Sequence, residues 1–153
     1  MAFKINIASK DGKTYKLELE SEELVGKALY DKLEGNMILP DLEGYEFEIA
    51  GASDNAGFAV SENVEGIGLK KVLLTYGKGM KNKPRREGKR KISKKKPKGL
   101  RLRKTMRGRR ISPAITQINL KVLKQGSKNL ADVFPDQNKP KEEPKGPEEP
   151  KAE

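Results

Sequence analysis

Apolar and polar residues alternate with a period of two over much of the chain, and that period predicts strands. In FKINIAS (3–9), Phe3, Ile5 and Ile7 fall on one face, with Lys4 and Asn6 on the other. TYKLELE (14–20) repeats this, with Tyr15, Leu17 and Leu19 set against Lys16, Glu18 and Glu20. The Asp11-Gly12 pair between them suits the left-handed conformations of a tight hairpin turn. GYEFEIAG (44–51) alternates again, with Tyr45, Phe47 and Ile49 inward. GASDNAG (51–57) is a loop by composition and leads into the short apolar run FAV (58–60). LKKVLLTY (69–76) reads as a strand whose Val72-Leu73-Leu74 run implies burial on both faces. INLKVLK (118–124) supplies a late strand through Ile118, Leu120 and Val122. The stretch 21–35 has no clean period; with Ser21 as a possible cap and glycines at 26 and 35, it reads as a short helix or irregular connection.

Short strands, glycine turns and little helix together predict a mainly β fold, a small antiparallel β-barrel or curled sheet. The expected organisation is a β domain begun by 1–76, a long basic extension over 77–114 and a strand over 115–130 returning to the barrel. Residues 131–153 are expected to form a disordered Pro/Glu/Lys tail.

Charge changes this picture. The net charge is +11, yet residues 1–76 carry 8 lysines, no arginine and 14 acids. Residues 77–128 hold 21 Lys plus Arg against the single acid Glu87. Like charges at that density do not neutralise one another, so the block calls for an anionic partner. Its cations up to residue 110 are Lys78, Lys81, Lys83, Arg85, Arg86, Lys89, Arg90, Lys91, Lys94, Lys95, Lys96, Lys98, Arg101, Arg103, Lys104, Arg107, Arg109 and Arg110. All are candidate phosphate ligands.

Between Gly99 and Gly108 the block itself shows a period of two. Leu100, Leu102 and Met106 project to one side, and Arg101, Arg103 and Arg107 to the other, with Arg109 continuing that side. Alternate side chains of an extended strand stand about 6.5 Å apart. The arginines would therefore form a comb for successive phosphates, each planar fork able to bind two oxygens. No aromatic residue lies inside the block. Base stacking is thus not expected of this segment, which leaves backbone phosphate and folded shape as what it reads. A polybasic run also suits anionic lipid, but no amphipathic helix or lipidation motif accompanies it.

Other chemistry has little support. There is no histidine and no cysteine, which removes disulfides, thiolate metal sites and the usual activators of Ser93, Thr105 or Ser112. The absence of cysteine fits a reducing cytoplasm. Glu46 and Glu48 read as a solvated strand face rather than an acid/base pair. GKGMKNK (77–83) lacks the spacing of a nucleotide-binding loop and reads as a phosphate-contacting turn. Asp54 alone cannot hold a metal, so no cofactor, metal or small-molecule substrate is expected. The N-terminus alternates too early for a signal peptide, and no apolar run is long enough to span a membrane.

RKTMRGRRIS (103–112) followed by QINLKVLKQG (117–126) resembles the C-terminal signature of protein six of the small ribosomal subunit, eukaryotic/archaeal type. GASDNAGF (51–58), KKVLLTYGKG (70–79) and PRREGKRK (84–91) fall in that family's order, so the likeness covers about residues 1–130. It implies a structural, non-enzymatic component of the archaeal small (30S) subunit that binds rRNA beside neighbouring ribosomal proteins in the cytoplasm. A free-standing nucleic-acid-binding or RNA-chaperone module is the alternative. Ala52 and Ala59 depart from the family's glycine and proline, and about ten residues around 92–101 lengthen its basic segment. The phosphorylatable basic C-terminal helix of eukaryotic members has no counterpart in the Pro/Glu tail.

Overall fold

The opening hairpin forms where alternation requires it: β1 (Ala2–Ala8) runs antiparallel to β2 (Thr14–Glu20), with Ile5 opposite Leu17. Its turn is closed by Ser9 N–H donating to the Lys13 carbonyl at 2.9 Å. Gly12 sits at φ +79°, the left-handed position a tight hairpin loop needs. The computed structural model describes residues 2–80, 99–135, 137 and 138. The further strands are β3 (Lys32–Glu34), β4 (Glu46–Asp54), β5 (Leu69–Leu74), β6 (Leu102–Arg107) and β7 (Ile115–Lys124). A single helical turn, α1, spans Leu130–Val133.

Five strands form one sheet in the order β2-β1-β7-β4-β3, and β5 pairs with β6 in a separate ribbon. β1 and β7 are parallel, placing Ile5 beside Ile118 and Ile7 beside Leu120, while the other pairs are antiparallel. The sheet is therefore mixed. It is also open, because β2 and β3 each pair on one side only, and the expected barrel does not close among the described strands. One reason is local: β3 is three residues long and gives way at once to 3-10 turns over Gly35–Met37 and Pro40–Leu42. The other lies at β2, where the Gln137 side-chain amide occupies the outer edge. It accepts from Lys16 N–H and donates to the Lys16 carbonyl, each at 2.7 Å.

One face of the sheet carries the core. Phe3, Ile5, Ile7, Phe47, Ile49, Ile118 and Leu120 are buried, with Leu24, Leu42 and Ile111 from the connections in the same cluster. Each such side chain contributes about 1.5–3 kcal/mol through burial. The opposite face is polar: Asn6 donates to Asn119 at 3.0 Å, and Gln117 to the same oxygen at 2.9 Å.

Of the two readings of 21–35, the irregular connection holds: residues 21–31 make turns and a bridge from Ala28 to Arg110, and β3 follows. Two sequence expectations change. β5 is not buried on both faces, since Leu73 is 53% exposed and Leu74 only 9%, because β6 is its one neighbour and only one side of the ribbon is packed. Finally, residues 131–138 begin no disordered tail where they are described. Leu130 and the half-buried Val133 and Phe134 join the core cluster, and Phe134 stacks on Tyr15 with ring centroids 5.6 Å apart. The apolar content of LADVF explains the difference. Residues 139–153 lie outside the described residues.

Candidate nucleic-acid interface

The period of two over 100–107 is realised as β6, so this part of the basic block is built into the fold rather than extending from it. Met106 is buried with Val64, Leu74 and Met80, and the half-buried Leu100 and Leu102 pack against them. Five residues further on, Ile111 belongs to the core of the main sheet. The cationic stretch thus bridges two apolar clusters, and its side chains stand on a backbone anchored at both ends.

Between those anchors the backbone is clamped from both sides. Arg109 N–H donates to the Val64 carbonyl (2.8 Å), Arg110 N–H to Gly66 (3.1 Å) and Gly108 N–H to Gly68 (2.9 Å). On the other flank, Leu29 N–H donates to Arg109 (2.9 Å), Ile111 N–H to Lys27 (2.8 Å) and Gly26 N–H to Ile111 (2.9 Å). Gly108 is where the chains come closest: a Cβ there would lie 2.0 Å from the Gly66 carbonyl oxygen. Only glycine allows that approach.

Arg107 departs from the comb. Its Nε donates to Asp54 Oδ2 at 2.9 Å and its Nη1 to the Ile67 carbonyl at 3.0 Å. The Asp54 side chain is 3% exposed, and its other oxygen accepts the Phe58 N–H at 2.8 Å. Arg107 N–H and carbonyl also bond to Ala59 and Ser61, both at 3.0 Å. Arg107 thereby ties the 54–58 turn, the 59–61 segment and β6 together. Its guanidinium is turned inward, where the expectation had it facing outward beside Arg103.

Arg101, Arg103, Lys104, Arg109 and Arg110 are exposed, and none forms an ion pair with a carboxylate among the described residues. Register places Arg103 opposite Leu73 and Lys71 opposite Thr105, so Lys71 and Arg103 share the outer face of the ribbon. Exposed Lys71 is therefore part of the cationic surface, which sequence reasoning began only at residue 77; Lys70, also exposed, stands opposite Met106 on the other face of the ribbon. The signal was present in the KKV near the start of β5, but the acidic total of residues 1–76 hid it. Lys78 lies in the turn before Met80; its ammonium donates to the Tyr30 hydroxyl at 3.1 Å and stands 5.0 Å from that ring's centroid. Lys81, Lys83, Arg85, Arg86, Lys89, Arg90, Lys91, Lys94, Lys95, Lys96 and Lys98 lie outside the described residues, as do Glu87 and Ser93.

Glu46 pairs with Lys124 at 3.6 Å, and Glu48 lies opposite Lys121 and Lys32, which makes a solvated, charge-matched strand face. Ser112 is buried. Among the described residues no group of acids could hold a metal ion, and no helix is long and apolar enough to cross a membrane.

Comparison with known proteins gives one answer. The family model for ribosomal protein S6e matches residues 3–135. A small ribosomal subunit protein eS6 from Methanococcus maripaludis is 41% identical over 131 residues, covering 85% of this chain and 94% of that protein. The protein of the same name from Methanocaldococcus jannaschii is 36% identical over 125 residues, covering 82% and 84%. That from Methanosphaera stadtmanae is 35% identical over 146 residues, covering 94% and 100%.

Proposed function

The chain belongs to the ribosomal protein S6e family, and from that premise we propose that it is a structural constituent of the small (30S) ribosomal subunit, located in the cytoplasm, that binds and stabilises folded rRNA through phosphate contacts. The family is one of ribosomal structural proteins rather than of enzymes. The observation that carries the phosphate reading is the row of exposed cations, without carboxylate partners among the described residues, on a backbone paired with β5 along β6 and held from both sides over 108–111. Arg101, Arg103, Lys104, Arg109 and Arg110 meet the RNA, joined by Lys71 and Lys78. Arg107 acts from behind by fixing β6 to the 54–61 turn. The lysines and arginines of 81–98 continue the same charge along the chain. A rigid backbone lowers the ordering entropy lost on binding, so each guanidinium is presented at little further cost. With no base-reading aromatic in the block, what it recognises is the spacing of phosphates on a folded RNA and the sugar edges beside them.

The test replaces Arg101, Arg103 and Arg109 together with glutamine. The folded state should persist by circular dichroism. Binding to small-subunit rRNA should weaken, and the slope of log affinity against log salt should flatten by about 0.7–0.9 for each phosphate that is no longer neutralised. Unchanged affinity and slope would refute the reading. Sedimentation separates it from a free-standing RNA-binding module: a subunit component stays with the small subunit through a moderate salt wash, whereas a transient binder is released.

A further inference from the structure

Two exposed tyrosines border an open cleft of about 400 Å³ where the loop before β3, the 60–63 turn and the end of β5 meet. Tyr30 is 41% and Tyr76 57% exposed. Tyr30 has φ +72°, a left-handed conformation that glycine or asparagine adopts readily and a bulky aromatic residue resists. That conformation is held by Tyr30 N–H donating to the Ile49 carbonyl (2.9 Å) and by Asp31 accepting the Ala28 N–H (2.7 Å). Core packing does not explain the ring, since so much of it stays in water. Strained residues of this kind cluster where a ligand is met.

Lys78 supplies the second half of the site. Its ammonium fixes the Tyr30 ring by a hydrogen bond and a cation–π contact, and it opens the cationic run. Glu62 and Asn63 line the same cleft. The carboxylate disfavours a phosphate beside Glu62 and leaves Lys78 as the cation for it, whereas the Glu62 and Asn63 side chains suit the polar edge of a base. We propose that this cleft holds one unpaired RNA base, stacked on Tyr30 and Tyr76, with its phosphate at Lys78. The aromatic platform missing from the basic block is thus supplied by residues 30 and 76, which the fold brings to its base.

This inference rests on the RNA-binding reading, and its test separates the two. The full chain is titrated at physiological ionic strength with a small RNA hairpin carrying one bulged nucleotide, and with the same hairpin made abasic at the bulge. The intact bulge should bind about tenfold more tightly. Tyr76→Leu and Tyr30→Asn should each bring that ratio close to one, whereas Tyr76→Phe keeps it. Asparagine is at ease at a positive φ, so Tyr30→Asn should melt no lower than the parent and a folding defect is not the cause. Equal, strong binding of both hairpins by the parent chain would overturn the base site, leave the phosphate reading standing and give the rings to a protein neighbour. Failure to bind either hairpin would overturn both.

Discussion

Replacing Arg107 with glutamine separates the arginine that builds the interface from those that face outward. Asp54 keeps its Phe58 N–H donor at 2.8 Å but loses the guanidinium at 2.9 Å, on a side chain only 3% exposed. Removing one partner of a buried ion pair destabilises by about 3–5 kcal/mol. Arg107 is 15% exposed, so water reaches the pair from one side, and glutamine can still offer a neutral N–H. Both considerations move the expectation to about 2–3 kcal/mol. For a domain of this size that lowers the melting temperature by roughly 6–12 °C. Arg103→Gln should change stability by no more than about 0.5 kcal/mol, because Arg103 is exposed and has no carboxylate partner among the described residues. Calorimetry and RNA titration on the two variants should show opposite profiles: Arg107→Gln loses stability first, Arg103→Gln loses affinity alone. Asp54→Asn combined with Arg107→Gln should be destabilised by less than the sum of the single changes, because the buried charge is gone. If Arg107→Gln melts like the parent while losing as much affinity as Arg103→Gln, Arg107 is a phosphate ligand and the clamp is wrong.

Two further outcomes follow from the packing. Gly108→Ala puts a Cβ 2.0 Å from the Gly66 carbonyl oxygen and 2.5 Å from its carbon, both backbone atoms, so urea unfolding should show a loss of about 3 kcal/mol or more; parent-like stability would mean the 66–68 loop is not seated there. Tyr45 donates its hydroxyl to the Lys128 carbonyl, and burial, followed by Tyr15 and Asp132, raises its pKa above the usual 10.0. The folded state therefore keeps a proton that the unfolded chain releases. Its contribution is complete below about pH 10 and fades as pH rises through the folded value. Lys128, raised chiefly by its hydrogen bond to Asp41, acts in the same direction. Stability should thus fall as pH rises past about 10, and less steeply in Tyr45→Phe; an equally steep fall in that variant would remove Tyr45 as a cause.

How much of this was legible depends on whether the signal was local. The β1–β2 hairpin and β7 could be read because alternation and an Asp-Gly turn are written within a few residues. The alternation of Leu100, Leu102 and Met106 with arginines likewise foretold β6 and its apolar anchor. Sequence reasoning failed wherever a distant partner decided. Nothing near residue 107 announces that Asp54, at a separation of 53, will turn that guanidinium inward. Nothing near Gln137 announces a backbone partner at Lys16, a separation of 121. The parallel β1–β7 pair and the meeting of Tyr30 with Lys78 are hidden for the same reason. Charge totals misled as well, since averaging over 1–76 concealed Lys71.

Cations that no described carboxylate neutralises keep their place in this fold because the apolar anchors outweigh their repulsion. Two unit charges about 6.5 Å apart in water repel by about 0.6 kcal/mol, and salt at physiological strength roughly halves that. The repulsion along the exposed edge is therefore small beside the burial of Met106 and Ile111, each worth about 1.5–3 kcal/mol. The apolar anchors win, and the segment folds without internal neutralisation so long as its charges stay in water. The arginine that leaves water is the one given a buried carboxylate, Arg107 with Asp54. Charge pairing among the described residues of this segment thus follows solvent access rather than the number of cations. The exposed arginines keep their full field for an anion outside the chain, and that anion's approach relieves a repulsion the fold already tolerates.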